Sequence, residues 1–203
     1  MNKKVLSALI MGTAFAASNV MAYEAGDVVV RVGLANVDPH ATNNTVVPGV
    51  DVEDETQIGI TGTYMLTDHV GLELLASTPF KHNLTINGAK VGDTKHLPPT
   101  LSIQYFPMDS GSALQPYVGL GVNYTTFFSE GSAGALAGSD IKLDDSWGLA
   151  AQVGVDYAVN ENWLVNAAVW KMDIDTDLEL NGTNLGEVEI DPIVVMLSVG
   201  YKF

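Results

Sequence analysis

The sequence predicts an all-β protein: an eight-stranded, antiparallel, up-and-down β-barrel that spans a membrane. Three observations lead to this prediction. Eight segments alternate apolar with polar or small residues, the connections between them are alternately short and long, and the chain ends on an aromatic residue, Phe203. This pattern is typical of outer-membrane barrels with a narrow lumen, short periplasmic turns and long extracellular loops.

The first 22 residues have the features of a secretory signal peptide. Lys3 and Lys4 form a positive segment, residues 5–17 are too short to cross a bilayer as a helix, and residues 20–22 form a small-residue cleavage site. We expect cleavage after Ala22, which leaves residues 23–203 as one barrel domain.

The eight predicted strands each have one apolar face, because successive side chains of a strand point to opposite sides. In the last strand this face holds every second residue from Ile193 to Phe203. Such a face could belong to a soluble sandwich, but aromatic residues near many strand ends match the two aromatic girdles of a membrane barrel. The strands are predicted at residues 28–36, 57–66, 70–78, 99–106, 116–128, 146–159, 163–180 and 193–203.

The connections are expected to fall on two sides of the barrel. Short turns are predicted at residues 67–69, 107–113 and 160–162, and long loops at 37–56, 79–95 and 129–145. Asn87-Gly88 reads as a hairpin tip, residues 133–137 permit a helical turn, and Asn181-Gly182 marks the fourth outer turn.

Charge and composition narrow the function. The full chain has 9 basic and 24 acidic residues, and without Lys3 and Lys4 the net charge is −17, which argues against a nucleic-acid partner. There is no cysteine. The four histidines lack metal-site spacing, and no serine lies in a nucleophile-elbow motif, so we expect no metal, no cofactor and no enzyme activity.

Several segments resemble the OmpW family of outer-membrane proteins, and the likeness spans essentially the whole chain after the leader. It implies a narrow apolar channel that takes small hydrophobic molecules through the outer membrane of a Gram-negative bacterium. The resemblance is weakest at residues 37–56 and 129–142. The segments that resemble the family are ELLASTPF at 73–80, HLPPTL at 96–101, PYVGLGVNYTTFF at 116–128, DSWG at 145–148, QVGVDY at 152–157, NWLVN at 162–166, MDIDT at 172–176 and DP at 191–192.

The inward faces predict a lumen that is polar near the periplasm and apolar above. We expect a polar plug in which Arg31 contacts Glu73 and Lys202 pairs with Asp156, unless lumen water simply solvates these groups. The predicted plug residues are Arg31, Glu73, Gln104, Asp156 and Lys202, and the predicted channel or gate residues are Leu75, Phe127, Trp170, Met172, Val194 and Met196.

A polar floor disfavours straight passage of an apolar molecule, so lateral release into the bilayer is expected. Pro98, Pro99 and Pro116 each lack a backbone donor, which permits a wall gap near the outer end of the fourth strand. The expected partners are outer-membrane lipids and lipopolysaccharide, small hydrophobic solutes, and the barrel-assembly machinery through the strand ending at Phe203. The alternative is a structural, adhesive or receptor barrel with acidic surface loops and a sealed lumen.

Overall fold

The computed structural model describes residues 23–39, 42–43, 50–52 and 54–203, so the predicted signal peptide lies outside the described residues. The described strands are β1 Val28–Asp38, β2 Thr42–Asn43, β3 Val50–Val52, β4 Glu55–Thr67, β5 Val70–Ser77, β6 Phe80–Ile86, β7 Ala89–Leu97, β8 Thr100–Tyr105, β9 Leu114–Ser132, β10 Ile141–Leu143, β11 Ser146–Ala158, β12 Trp163–Met172, β13 Asp175–Leu180, β14 Thr183–Glu189 and β15 Ile193–Lys202.

Eight of these strands close into an antiparallel barrel in the order β1, β4, β5, β8, β9, β11, β12, β15 and back to β1. The closing pair sets Arg31 of β1 opposite Gly200 of β15. The predicted eight-stranded fold class is therefore confirmed. Closure gives each of the eight strands a paired neighbour on both sides.

The barrel wall has an apolar outer face and a buried inner face, as the alternation predicts. Ile103, Leu120, Leu149 and Leu197 are 59, 73, 67 and 66% exposed although they are aliphatic. Apolar side chains of all eight strands share this exposure, and so broad an apolar surface is expected only where lipid surrounds the wall.

Aromatic rings lie at both ends of the outer face. At the end with short turns, the Tyr201 ring lies 5.1 Å from the Trp163 ring and 4.7 Å from the Phe203 ring. At the other end, the Tyr124 and Trp147 rings are 4.7 Å apart. Two such girdles flank the apolar band of an outer-membrane barrel.

Two hairpins extend the wall beyond the outer girdle. Strands β6 and β7 form one hairpin, with tip residues Asn87 and Gly88 at φ 51° and 77°. Strands β13 and β14 form the other, and its tip residues Asn181 and Gly182 adopt φ 51° and 76°. Both predicted tips are confirmed, because Asn-Gly tolerates the positive φ values of a tight hairpin turn.

Two boundaries predicted from the sequence are wrong. Residues 79–95, expected as a loop, form most of the β6–β7 hairpin, which pairs with the upper part of β9. Residues 163–180, expected as one strand, are divided into β12 and β13. A short 3-10 helix at Gly134–Leu136 lies within the predicted helical turn. The described part of the chain contains no helix that is long and apolar enough to cross a membrane.

Candidate functional site

An apolar cavity of about 140 Å³ lies between the two outer hairpins and the upper barrel. Its walls come from β6, β7, β9, β10, β13, β14 and the chain at the outer ends of β1, β12 and β15. The described lining residues are Val37, Pro39, Leu84, Ile86, Val91, Thr94, His96, Thr125, Phe127, Leu136, Ile141, Leu143, Ile174, Thr176, Leu178, Leu180, Leu185, Val188, Ile190 and Pro192.

The cavity forms because each hairpin turns an apolar face inward. Leu84 and Val91 of the first hairpin pack with Ile141 of β10, and Leu178 of the second hairpin contacts the same cluster. The short strand β10 pairs with β13, with Ile141 opposite Leu180. Residues beyond the membrane thus form an apolar chamber, although loops at that height are usually polar.

The polar side chains of the cavity wall hydrogen-bond to the protein itself. The Thr125 hydroxyl donates to Asn123 Oδ1 at 2.7 Å, and the Thr176 hydroxyl donates to the Asp144 carbonyl at 2.7 Å. The His96 ring stacks on Phe80 with centroids 5.5 Å apart, and lies 5.8 Å from the Phe127 ring. The wall is therefore suited to apolar contact, with aromatic character on one side.

The floor of the cavity lies one rung lower on the same strands. Ala35, Met172 and Val194 are each buried and each lie two residues along the strand from a cavity-lining residue, on the side nearer the centre of the barrel. The corresponding lining residues are Val37, Ile174 and Pro192. Trp170 stands opposite Val194 and is only 1% exposed. These side chains belong to one continuous apolar cluster with the cavity wall.

The structure places all six predicted channel or gate residues inside the barrel, each at most 8% exposed. Phe127 lines the cavity, whereas Leu75, Trp170, Met172, Val194 and Met196 are packed beneath it. The alternation of residues along each strand correctly predicted that these side chains point into the barrel, but it did not predict the cavity above them. Their role as a gate remains a prediction.

Below the floor, Arg31 forms a buried ionic layer. Its Nε and Nη2 atoms donate to the two carboxylate oxygens of Asp156 at 3.0 and 2.5 Å. Its Nη1 atom donates to the Thr63 hydroxyl at 2.8 Å and lies 3.6 Å from Glu73 Oε2. Arg31, Glu73 and Asp156 are each 1% exposed. The two-point contact with Asp156 is the strong geometry for an arginine–carboxylate pair.

The predicted Arg31–Glu73 contact is present, but the predicted pairing of Lys202 with Asp156 is not the one observed. Lys202 forms an ion pair with Asp27 at 3.6 Å. Asp156 instead receives hydrogen bonds from Arg31, from the Tyr23 hydroxyl at 2.5 Å and from Asn166 Nδ2 at 2.8 Å. Arg31 reaches across the lumen and pairs with the Asp156 carboxylate, which Lys202 was expected to neutralise.

Aromatic residues that the sequence reasoning did not select close the periplasmic end. Tyr23 is 2% exposed, its ring centroid lies 4.9 Å from that of Phe106, and Phe106 lies 5.1 Å from Tyr117. A Cβ on Gly154 would meet the Tyr117 ring at 2.4 Å, so glycine makes room for this ring. Tyr23 precedes the first strand, and only its place next to the predicted cleavage site marks it.

Several buried polar atoms of the floor, of the ionic layer and of the side chains between them are not fully used in hydrogen bonds. Glu73 Oε1, Gln104 Nε2, Trp170 Nε1 and both amide atoms of Gln152 are buried and make no hydrogen bond of ordinary geometry among the described residues, although the Gln104 and Gln152 amides lie close to the Glu73 carboxylate. Gln104 does use its Oε1 atom, which lies 3.3 Å from the Thr63 hydroxyl. Polar atoms of this kind favour water over hydrocarbon as a neighbour.

The wall changes its pairing at the level of the cavity floor. The β5–β8 register pairs end at Leu75 and Thr100, and the β6–β7 pairs begin at Phe80 and His96. In the described wall, no register pair joins residues 76–79 to residues 97–99. Each stretch bonds to its other neighbour: Thr78 N donates to Ile58 O, and Tyr124 N donates to Pro99 O, both at 3.0 Å.

Pro98 and Pro99 lie at this interruption, as predicted, but Pro116 does not. Pro116 is paired with Val155, only two residues from the start of β9 at Leu114, near the end with short turns. It therefore has no part in an outer gap.

The closed barrel, its apolar belt and its two aromatic girdles define an outer-membrane β-barrel protein. The comparisons with known proteins agree. A family model described as the OmpW family matches residues 24–203, and the chain belongs to this family. It is an outer-membrane protein of the Gram-negative type that lies in the lipid bilayer.

The relatives cover nearly the whole chain. "Outer membrane protein W" of Escherichia coli (strain K12) is 46% identical over 99% of this chain and 100% of its own length. The protein of the same name from Vibrio cholerae serotype O1 is 42% identical over 99% of this chain and 100% of its own length. A more distant relative, "Dibenzothiophene metabolism operon protein PahQ" of Pseudomonas aeruginosa, is 26% identical over 85% of this chain and 87% of its own length.

Solved structures share the fold. The crystal structure of OprG from Pseudomonas aeruginosa superposes with a TM-score of 0.82 at 44% identity, over 91% of this chain and 99% of that one. The solid-state NMR structure of AlkL in DMPC bilayers gives a TM-score of 0.69 at 26% identity, over 95% of this chain and 97% of that one.

Proposed function

We propose that the protein is a passive channel that takes small hydrophobic molecules from outside the cell into the outer membrane. The proposal rests above all on the 140 Å³ apolar cavity at the outer end of the barrel. A site with apolar walls binds molecules by removing their apolar surface from water.

The size of the cavity favours compact solutes. An apolar cavity of about 150 Å³ accommodates a molecule such as benzene. The aromatic side formed by His96 and Phe127, with Phe80 stacked on His96, favours a flat ring over a long flexible chain. The name of PahQ refers to the metabolism of dibenzothiophene, an apolar aromatic compound, which supports the same substrate class here.

The layers of the lumen favour a lateral exit. A molecule that passes the floor at Trp170 would meet the underused polar atoms of Gln152 and Glu73, then the ionic layer at Arg31. Apolar solutes gain nothing from either layer. The interruption in pairing between residues 76–79 and 97–99 lies at the level of the floor, and we propose that it gives the solute its way to the acyl chains.

Uptake of a hydrophobic fluorescent dye by whole cells tests the cavity. The variant Val188→Phe places a ring in the cavity, because Val188 is 4% exposed and lines it. We expect the initial uptake rate to fall by roughly tenfold if the dye must occupy the filled site. Val195→Phe is the matched control, since Val195 faces lipid and is 43% exposed. Equal uptake rates in both variants would contradict the proposal.

The lateral exit has its own test. Pro98 lies between β7 and β8 at the interruption in pairing, and as a proline it has no backbone donor to offer there. Pro98→Ala restores this donor and should narrow the gap, which lowers dye uptake. Pro116→Ala is the control, because Pro116 lies at the other end of the barrel wall, near the short turns. If Pro98→Ala leaves uptake unchanged while Val188→Phe reduces it, the cavity is used but the exit lies elsewhere.

Both results together separate the channel from its alternative. A structural or receptor barrel with a sealed lumen predicts the same dye uptake from the wild type, Val188→Phe and Pro98→Ala, and the same uptake from cells that lack the protein.

Recognition of the C-terminal strand ending at Phe203 by the barrel-assembly machinery stays a prediction, which Phe203→Ala would test through the amount of assembled barrel.

A further inference from the structure

The β6–β7 hairpin, residues 80–97, has a charge opposite to that of the rest of the protein. Without the predicted leader the chain has 7 basic and 24 acidic residues. Three of those basic residues, Lys81, Lys90 and Lys95, lie on this hairpin with a single acidic residue, Asp93. The hairpin is therefore cationic by two charges, while the remaining chain is strongly anionic.

The three ammonium groups are gathered on one outer face. Lys81 and Lys95 are directly opposite each other in the β6–β7 register, and both are exposed. Lys81 Nζ and Lys90 Nζ lie 3.6 and 3.0 Å from the same carboxylate, Asp93. Lys95 has no acidic partner among the described residues. Like charges at directly opposed positions destabilise a sheet, and an anion bound between Lys81 and Lys95 would relieve this repulsion.

This face lies at the height of the outer-leaflet headgroups. Ten residues separate Lys95 from Tyr105, an outward ring at the end with short turns. At about 3.3 Å per residue and a strand tilt of about 40°, Lys95 stands about 25 Å above Tyr105. The apolar band of such a barrel is about 25 Å tall. Lys95 lies on the same outward side of the β7–β8 segment as the lipid-facing residues Leu101 and Ile103, and Lys81 stands opposite Lys95 on β6.

We propose that Lys81, Lys90 and Lys95 form a binding site for the phosphate groups of the phosphorylated glycolipid of the outer leaflet. The apolar wall below them contacts the acyl chains, and the ammonium groups pair with the phosphates above. Asp93 is the internal counter-ion that a phosphate competes with. The hydrogen bond from Lys90 holds the pKa of Asp93 below its usual range, so this carboxylate stays charged in the absence of lipid.

The test compares lysines of equal charge at two places. The mature protein is reconstituted in phosphatidylcholine nanodiscs, and binding of a fluorescent lipid A that bears both phosphates is titrated. Lys95→Gln should weaken binding about fivefold, because it removes the attraction of one lysine to the anionic lipid. Lys81→Gln/Lys95→Gln removes two such attractions and should weaken binding about 30-fold. Lys142→Gln is the matched control, because Lys142 is exposed on another strand, next to Asp144 and Glu179. It should change the affinity less than twofold.

Three further arms sharpen the result. Lys81→Arg/Lys95→Arg should bind like the wild type, because the charges remain. Asp93→Asn should bind more tightly, because the internal competitor is removed, whereas Asp144→Asn should not. With dephosphorylated lipid A, the difference between Lys95→Gln and Lys142→Gln should disappear.

Several outcomes would overturn the proposal. One is equal weakening by Lys95→Gln and Lys142→Gln, which indicates a diffuse charge effect. Another is a difference that persists with dephosphorylated lipid A, which indicates contact with sugar or acyl chain. A third is full displacement of lipid A by inorganic phosphate at millimolar concentration, which indicates a site for free anions. Heat-dependent gel mobility verifies that each variant is folded.

Discussion

Replacing Arg31 by methionine should strongly destabilise the barrel. Arg31 is the one arginine of the chain and is 1% exposed. Its guanidinium donates two hydrogen bonds to Asp156, one to Thr63 and one to Tyr23 at 3.3 Å, and it lies 3.6 Å from Glu73. Methionine has a similar length, so it fills the space but leaves two carboxylates without their cation.

The expected magnitude follows from burial. Removing one partner of a buried ion pair costs about 3–5 kcal/mol, because the remaining charge is left in a medium of low dielectric. Here Asp156 keeps the hydrogen bonds from Tyr23 and Asn166, which reduces the cost, but Glu73 also loses its nearest cation. We therefore expect a loss of about 3–4 kcal/mol in the free energy of unfolding.

Urea unfolding of the protein in lipid vesicles, followed by tryptophan fluorescence and by heat-dependent gel mobility, measures this loss. Lys171→Met is the control, since Lys171 pairs with Asp191 at 3.4 Å and is 48% exposed at its side chain. An exposed pair contributes about 0–1 kcal/mol. The double variant Arg31→Met/Asp156→Leu removes both members of the pair and should recover at least about 1–2 kcal/mol of the loss.

A specific result would refute this reasoning. If Arg31→Met unfolds at the same urea concentration as Lys171→Met, the charges are solvated by lumen water and do not form a buried layer. If the double variant is as unstable as Arg31→Met, the cost comes from packing around residue 31 and not from an unpaired Asp156.

Two further predictions concern the floor and the outer hairpin. Trp170→Ala should open the floor, raise the uptake of a larger hydrophobic dye relative to a smaller one, and cost about 3–5 kcal/mol of stability, whereas Trp163→Ala on the outer face should leave the ratio of the two uptake rates unchanged. The pKa of Asp175 is raised by burial and by the neighbouring carboxylates Asp191 and Asp173. The folded state therefore binds the Asp175 proton more tightly than the unfolded state does. The charged carboxylate destabilises the folded state increasingly as the pH rises from the unfolded pKa to the raised one. Asp175 is exposed, so solvent screens much of this effect, and Asp175→Asn should stabilise the protein at pH 7 by at most about 0.5 kcal/mol. Urea midpoints of the two proteins that still differ near pH 3 would contradict this.

Much of the lumen could be predicted from strand alternation alone. Arg31, Glu73, Trp170 and Met196 all point inward as expected, because the side-chain period of two is a local property of a strand. Their relative heights also follow from counting residues along each strand. The Arg31–Glu73 contact was within reach of such counting, since their strands β1 and β5 both flank β4.

The contact between Arg31 and Asp156 lay beyond such counting. These residues are 125 positions apart on β1 and β11, which are not neighbours in the wall. Whether an arginine meets a carboxylate across a lumen depends on the stagger of the closed barrel. Strand alternation gives the height of each inward side chain along the barrel axis, and Lys202 and Asp156 were predicted to pair because both lie near the periplasmic end. It does not give the distance between side chains across the lumen.

The outer cavity was missed for a different reason. Most of its residues lie outside the predicted strands. Strands β6, β7 and β14, which the sequence did not predict, form by pairing with one another, with β13 and with β9. The apolar residues Leu84, Val91 and Leu178 do not share one strand face over a long run. Their common direction comes from two hairpins that converge on β10.

The amino-acid sequence by itself determined the number of wall strands, the apolar outer face, the girdles and the two hairpin tips, because alternation and Asn-Gly turns act over a few residues. The tertiary structure alone decided that Arg31 bonds to Asp156, that Tyr23 closes the periplasmic end, and that an apolar chamber lies above Trp170. These features require distant segments to meet, and only closure of the barrel fixes which segments do so.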